Sequence, residues 1–84
     1  MGLSQDNSVM GTQLKTTQLH KDFGKRIQEL RRERGMTQED LAGEVGVDRS
    51  YMGFLERGEK NATLDKIGKI AKAFRIKLKE LFDF

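Results

Sequence analysis

The chain has 84 residues, with 16 basic and 13 acidic side chains, a single histidine, and neither cysteine nor proline. A domain of this size buries only roughly 60% of the surface its unfolded chain exposes, which excludes a large active-site cleft and demands an economical core. Without cysteine there is no disulfide and no thiolate zinc site, and His20 alone cannot build a multi-histidine centre, so no metal and no cofactor is expected.

The net charge of +3 is unevenly placed. Lys15 and Asp6 are the only charged groups in residues 1–20, leaving 15 basic and 12 acidic side chains in residues 21–84. The basic excess thus belongs to the part that folds, which favours a polyanionic partner without specifying one. No apolar run approaches the roughly 20 residues that span a bilayer, and the N-terminus lacks the basic start and apolar core of a secretion signal. A cytoplasmic protein with no membrane partner is expected.

Residues 1–19 (MGLSQDNSVMGTQLKTTQL) are rich in Ser, Thr, Gln, Asn and Gly and show little apolar periodicity. They cannot bury enough surface to offset the entropy of ordering and are predicted to be a flexible tail, with an arm that touches DNA or a partner subunit as the alternative role. The domain is predicted over residues 20–84. From about His20 the apolar pattern is helical to the end, so the fold class is all-α, with five helices. Helix one sets Phe23, Ile27 and Leu30 at i, i+4 and i+7 and stops at Gly35. Helix two opens on Thr37 with Asp40 three residues later, a capping box, then buries Leu41, Ala42 and Val45 before Gly46 ends it. Helix three takes Asp48 as its cap, turns Met52 and Leu55 inward and ends at Gly58. Helix four starts at Thr63 and aligns Leu64, Ile67, Ile70, Ala71 and Phe74, with Lys66, Lys69 and Lys72 on the solvated side. A short fifth helix lies near Leu78–Phe82.

Two short capped helices joined by a turn of about three residues at Gly46 must cross steeply and leave the second one projecting. Ala42 is small where the helices approach, and Val47 plugs the turn. The run Gly35-Met36-Thr37-Gln38-Glu39-Asp40-Leu41-Ala42, then Val45-Gly46-Val47, Arg49-Ser50-Tyr51-Met52 and Leu55-Glu56-Arg57-Gly58, resembles the Cro/repressor-like helix-turn-helix family, the XRE family, over residues 23–82. Within it, Asp48-Arg49-Ser50-Tyr51, Glu56-Arg57-Gly58 and Lys60-Asn61-Ala62-Thr63-Leu64 are similar to controller proteins of restriction-modification systems. Similar strings occur in phage-type repressors and in antitoxins.

The resemblance implies a partner, double-stranded DNA, and the side chains can be weighed for it. Arg49, Ser50, Gly53, Phe54 and Arg57 lie away from the Met52/Leu55 face of helix three. Arg49, near the helix start, can take O6 and N7 of guanine bidentately. Ser50 can bond a base edge or a phosphate. Tyr51 flanks the inward face, so DNA contact and core packing both suit its ring. Phe54 departs from the family, where a small or polar residue is commoner. Contact with a thymine methyl would explain it, as would burial against helix two or a partner surface. Gln38 sits where the family holds a phosphate and often braces the first reading residue. Arg57, Lys60 and Asn61 line the loop that would track the backbone, and Thr63 opens a helix whose free N–H groups can hold an oxyanion. The resemblance also implies a structural salt bridge between Arg31 and Glu56.

One reading helix contacts few base pairs, so a homodimer on a palindromic operator is expected. Its interface is placed at Ile76, Leu78, Leu81, Phe82 and Phe84, which exceed what a short last helix can bury, although some of them must serve the core. Arg75-Ile76-Lys77 supplies that helix with no Ser or Asp cap. The function read from all this is a sequence-specific transcriptional regulator, the controller of a restriction-modification system, with an antitoxin or phage-type repressor as the alternative. A protein-interaction module has no support. Nor has an enzyme, because Ser50 and His20 are far apart with no orienting motif and no glycine loop for phosphate exists.

Overall fold

The structure, a computed structural model, describes residues 17–84, and residues 1–16 of the predicted tail lie outside it. Five helices follow one another among the described residues: α1 (Gln18–Glu33), α2 (Gln38–Val45), α3 (Arg49–Glu56), α4 (Leu64–Phe74) and α5 (Leu78–Leu81). The helical part begins a little before His20, because Thr17 caps α1. Its hydroxyl accepts from the His20 N–H at 3.4 Å, while its own N–H donates to His20 Nδ1 at 3.0 Å. The single histidine therefore fills the place of the glutamate in a capping box.

Thr37 and Asp40 close the predicted box on α2, with the Asp40 carboxylate accepting from the Thr37 N–H at 2.9 Å and the Thr37 hydroxyl accepting from the Asp40 N–H at 3.0 Å. Hydrogen bonding to the carboxylate from the Thr37 backbone N–H, and secondarily from the Thr37 side chain, holds the Asp40 pKa below its ordinary value. Thr63 Oγ1 accepts from the Lys66 N–H at 3.1 Å and starts α4. Asp48 has the extended backbone of a cap but makes no side-chain cap bond, so the first-turn amides of α3 have no side-chain acceptor. At α5, where no cap was expected, the Glu80 carboxylate reaches back to the Lys77 N–H at 2.8 Å and supplies half a box. The turn before it places Arg75 in the left-handed region at φ 58°, a conformation that costs a non-glycine residue about 1 kcal/mol.

The core draws Phe23, Ile27 and Leu30 from α1, Leu41, Ala42 and Val45 from α2, and Met52 and Leu55 from α3. Ile70, Ala71 and Phe74 come from α4 and Leu81 from α5. Val47, Ile67 and Ile76 pack half-buried against it. Two apolar assignments change. Leu64, expected in the stripe of α4, is 79% exposed, since it lies at the edge of the stripe in the helix's first turn. Leu81, expected at a subunit interface, is fully enclosed within the monomer. A one-turn helix has one inward position, and burying a leucine there contributes about 1.5–3 kcal/mol that a solvent-facing site would forgo. Phe82 stacks on Phe23, with ring centroids 5.0 Å apart, and keeps one face outward.

Backbone approaches set the position of α3. A Cβ at Gly24 would lie 2.3 Å from the Leu55 carbonyl oxygen and 2.5 Å from that of Glu56, so α1 and α3 touch backbone to backbone. Gly58, which ends the segment at φ 73°, would press a Cβ to 2.7 Å from the Lys21 Cα. Between α2 and α3, Gly46 turns at φ 83°, and both its N–H and that of Val47 donate to the Ala42 carbonyl, at 2.8 and 3.0 Å. This closes α2 and starts α3 in a new direction within three residues.

Candidate nucleic-acid interface

The outward side of α3 carries Arg49 and Ser50 exposed, with Tyr51 and Phe54 half-buried. Beneath it lies an ion pair. Arg31 Nε donates to Glu56 Oε2 at 2.6 Å and Arg31 Nη2 to Glu56 Oε1 at 3.0 Å, while Arg31 Nη1 donates to the Met36 carbonyl at 2.8 Å. The Glu56 side chain is fully buried and that of Arg31 nearly so. The hydrogen bond it donates to Glu56 raises the already high pKa of the Arg31 guanidinium, against a smaller opposing effect of desolvation. Such a pair adds little over well-packed apolar groups, yet losing one partner strands a charge, at a cost of about 3–5 kcal/mol.

Gln38 joins this buried pair to the surface. Its Nε2 donates to Glu56 Oε1 at 3.0 Å, and its Oε1 accepts from Arg49 Nη1 at 3.2 Å. A Cβ at Gly53 would stand 3.1 Å from Arg57 Nη1 and 3.6 Å from Gln38 Oε1. Gly53, read from the sequence as part of the outward face, is thus buried under the amide and the guanidinium that fold across it.

Phe54 serves two cations. The Arg57 guanidinium lies over its ring, 5.0 Å from the centroid, and Lys60 Nζ lies over it at 5.5 Å. Arg57 Nε also meets Glu59 at 3.2 Å, an exposed pair of small energetic weight. Tyr51 packs against the core and edges a surface depression with Gly46, Val47, Asp48 and Lys66. Lys60, Asn61 and Thr63 are exposed along the loop from α3 to α4, where Asn61 borders a small apolar hollow formed by Leu19, His20, Phe23, Ala62, Ile67 and Phe82. The structure thus gathers Gln38, Arg49, Phe54, Arg57 and Lys60 on one surface. Ser50, Asn61 and Thr63 flank it without a side-chain bond to the others.

Three features escaped the sequence reading. The bond from Gln38 to Glu56 spans 18 positions and has no periodic signature. The helix contact at Gly24 had one signal, a glycine in the middle of an amphipathic helix. Arg26 Nη2, which donates to the Glu80 carbonyl at 2.8 Å and ties α5 to α1, had none. Among the described residues no group of three acidic, histidine or cysteine side chains could hold a metal. No described helix is long and apolar enough to cross a membrane.

Residues 27–81 match the family model described as Helix-turn-helix. An uncharacterized HTH-type transcriptional regulator of Archaeoglobus fulgidus is 48% identical over 59 residues, covering 70% of this chain and 84% of that protein. Control protein C.BamHI of Bacillus amyloliquefaciens is 41% identical over 63 residues, 74% of this chain and 78% of that protein. Among solved structures, the restriction-modification controller protein C.AhdI from Aeromonas hydrophila superposes with a TM-score of 0.71 at 48% identity, covering 76% of this chain and 96% of that one. With its short α2–α3 turn at Gly46, its five helices among the described residues and these relatives, the chain belongs to the helix-turn-helix family, in the Cro/repressor-like (XRE) form that includes transcriptional regulators and restriction-modification controller proteins.

Proposed function

We propose that this regulator binds a palindromic operator in double-stranded DNA as a homodimer, each copy laying α3 in the major groove of one half-site. Arg49 reads a guanine edge, and Ser50 bonds a base or a phosphate beside it. Gln38, Arg57, Lys60, Asn61 and the α4 N-terminus at Thr63 hold the backbone and set the register. The observation that carries this reading is Arg49 itself: exposed on the first turn of α3 and braced from below by Gln38 at 3.2 Å. A long side chain on an outward helix gains reading power when one orientation is favoured in advance.

The dimer has support in apolar surface that the monomer leaves open. Leu19, Leu64, Leu78, Phe82 and Phe84 are all exposed. Leu19 and Phe82 rim one hollow, and Ile67 of the same hollow lies one helical turn from Leu64. Half-sites about one turn apart, roughly 10–10.5 base pairs, follow from a two-fold dimer. Control of a restriction-modification system in the cytoplasm is the favoured setting, because C.AhdI and C.BamHI, both named as controllers, are similar over about three quarters of the chain.

Gel-shift titrations at several salt concentrations test the assignment. Arg49→Ala should lose discrimination between operator and random duplex worth about 1–3 kcal/mol while keeping most nonspecific binding. Lys60→Ala should weaken every sequence alike and reduce the salt slope by about one. Equal loss by Arg49→Ala on both duplexes would sink the base-reading role.

A further inference from the structure

We infer that Glu56, although buried and remote from any base, is a positioning residue for sequence reading, because it fixes which way the Gln38 amide faces and thereby holds Arg49. The inference rests on Arg49 being the base reader. An amide has a donor end and an acceptor end, and free in solvent either could face Arg49. Here the choice is made from inside. Glu56 carries only acceptors, so the end of Gln38 that meets Glu56 Oε1 at 3.0 Å must be its NH2. The opposite end, Oε1, is then the acceptor that Arg49 Nη1 meets at 3.2 Å. Glu56 cannot turn in response, since Arg31 grips both its oxygens, at 2.6 and 3.0 Å. The bonds therefore converge on Glu56: Arg31 donates to it from the core, while from the reading edge Arg49 donates to Gln38 and Gln38 donates to Glu56.

This polarity can be reversed by a substitution that keeps shape. In Glu56→Gln, the new NH2 group faces an Arg31 donor on either side, and it belongs at the Oε1 position, where Arg31 Nη2 stands at 3.0 Å, rather than at the Oε2 position, where Nε stands at 2.6 Å. From there it donates toward residue 38, the Gln38 amide flips, and its NH2 then faces the Arg49 guanidinium, donor against donor. Exchanging the two residues, Glu56→Gln with Gln38→Glu, restores the acceptor for Arg49: Gln at 56 donates to the carboxylate at 38, which accepts from Arg49. The exchange leaves net charge unchanged, and it leaves Arg31 without its ion pair just as the single substitution does.

The test uses the full chain and a duplex selected from a random-sequence pool by the wild-type protein, with random duplex as competitor. Discrimination is the ratio of the two affinities, measured where circular dichroism shows each variant folded. Loss of the whole Arg49 contact corresponds to about a 5- to 150-fold drop in that ratio. Glu56→Gln is expected to lose discrimination by about fivefold or more, and the exchange to return it to within about twofold of wild type, although both variants melt earlier. If both stay equally impaired, Glu56 is only structural and the inference is overturned. Should Glu56→Gln not fold, Gln38→Met, which keeps the Arg31–Glu56 pair, decides alone: discrimination must fall, and its retention overturns the inference. If Arg49→Ala keeps full discrimination, the base-reading role falls first, and that outcome is distinct from one in which Arg49→Ala loses discrimination while the Gln38 and Glu56 variants do not.

Discussion

A phenylalanine half-exposed on the outward side of α3 needs a partner, and Phe54 has two, the guanidinium of Arg57 at 5.0 Å and the ammonium of Lys60 at 5.5 Å. Each such contact at an exposed site contributes about 0.5–1 kcal/mol, and together they hold two like charges at a fixed spacing that water alone would let drift apart. On the proposed interface, this arrangement favours Phe54 as a support for two cations placed to meet phosphate over contact with a thymine methyl. Phe54→Leu, which keeps apolar bulk and removes the π face, should weaken binding to operator and random duplex alike, by about two- to fivefold in fluorescence anisotropy. Replacing operator thymines by uracil should leave affinity unchanged. A loss seen only with thymine present would return the ring to base reading. The sequence marked Phe54 as anomalous, but Lys60 lies beyond the Gly58 turn, and where it lands depends on how that turn is held against α1.

Helix starts and helix contacts obey different rules here, and two substitutions separate them. Gly24 and Gly68 both interrupt helices, yet a Cβ at Gly24 meets carbonyl oxygens at 2.3 and 2.5 Å, whereas one at Gly68 meets nothing within 4 Å. Gly24→Ala should therefore destabilise by about 3 kcal/mol or more through forced separation of α1 and α3. Gly68→Ala should stabilise by about 0.5–1 kcal/mol by lowering chain entropy in an open helix position. Urea midpoints at unchanged slope would check both. The cap of α2 is a pH element. Bonds to Thr37 lower the Asp40 pKa in the folded state, so its contribution is present above the unfolded value near 4 and is lost as pH falls through the folded one. Asp40→Ala should melt earlier than wild type at pH 7, and the gap should narrow as the pH falls below about 4. A gap that did not narrow with falling pH would mean that the cap acts without its charge.

At the scale of the molecule, the question is what covers the apolar surface that the fold leaves outside. Leu81 has been withdrawn into the core, while Leu64 stands 79% exposed, one helical turn from Ile67, which lines a hollow with Leu19 and Phe82. A second copy on this face would bury them and bring two reading helices to one side of a duplex. Leu64→Lys is accordingly expected to convert the proposed dimer to monomer in sedimentation velocity. It should also lower affinity for a palindromic operator by at least about tenfold, with little change for a single half-site. A variant that remained dimeric would move the interface toward Leu78 and Phe84, the other exposed apolar groups of the C-terminal end.

The helices and their stops were legible because they depend on groups three or four positions apart: Thr37 with Asp40, Thr63 with the Lys66 amide, and Gly35, Gly46 and Gly58 where the chain must turn left-handed. The inward faces of α1, α2 and α3 were legible for the same reason, since periodicity is local. Folding in three dimensions alone decided which apolar groups are finally covered, sending Leu81 inward and leaving Leu64 out. It decided that Gly24 is a contact point, and it set the amide of Gln38 between Glu56 and Arg49. Those outcomes join residues many positions apart through the crossing of helices. The type of a side chain states what bonds it can make, while the path of the backbone determines which partner arrives to make them.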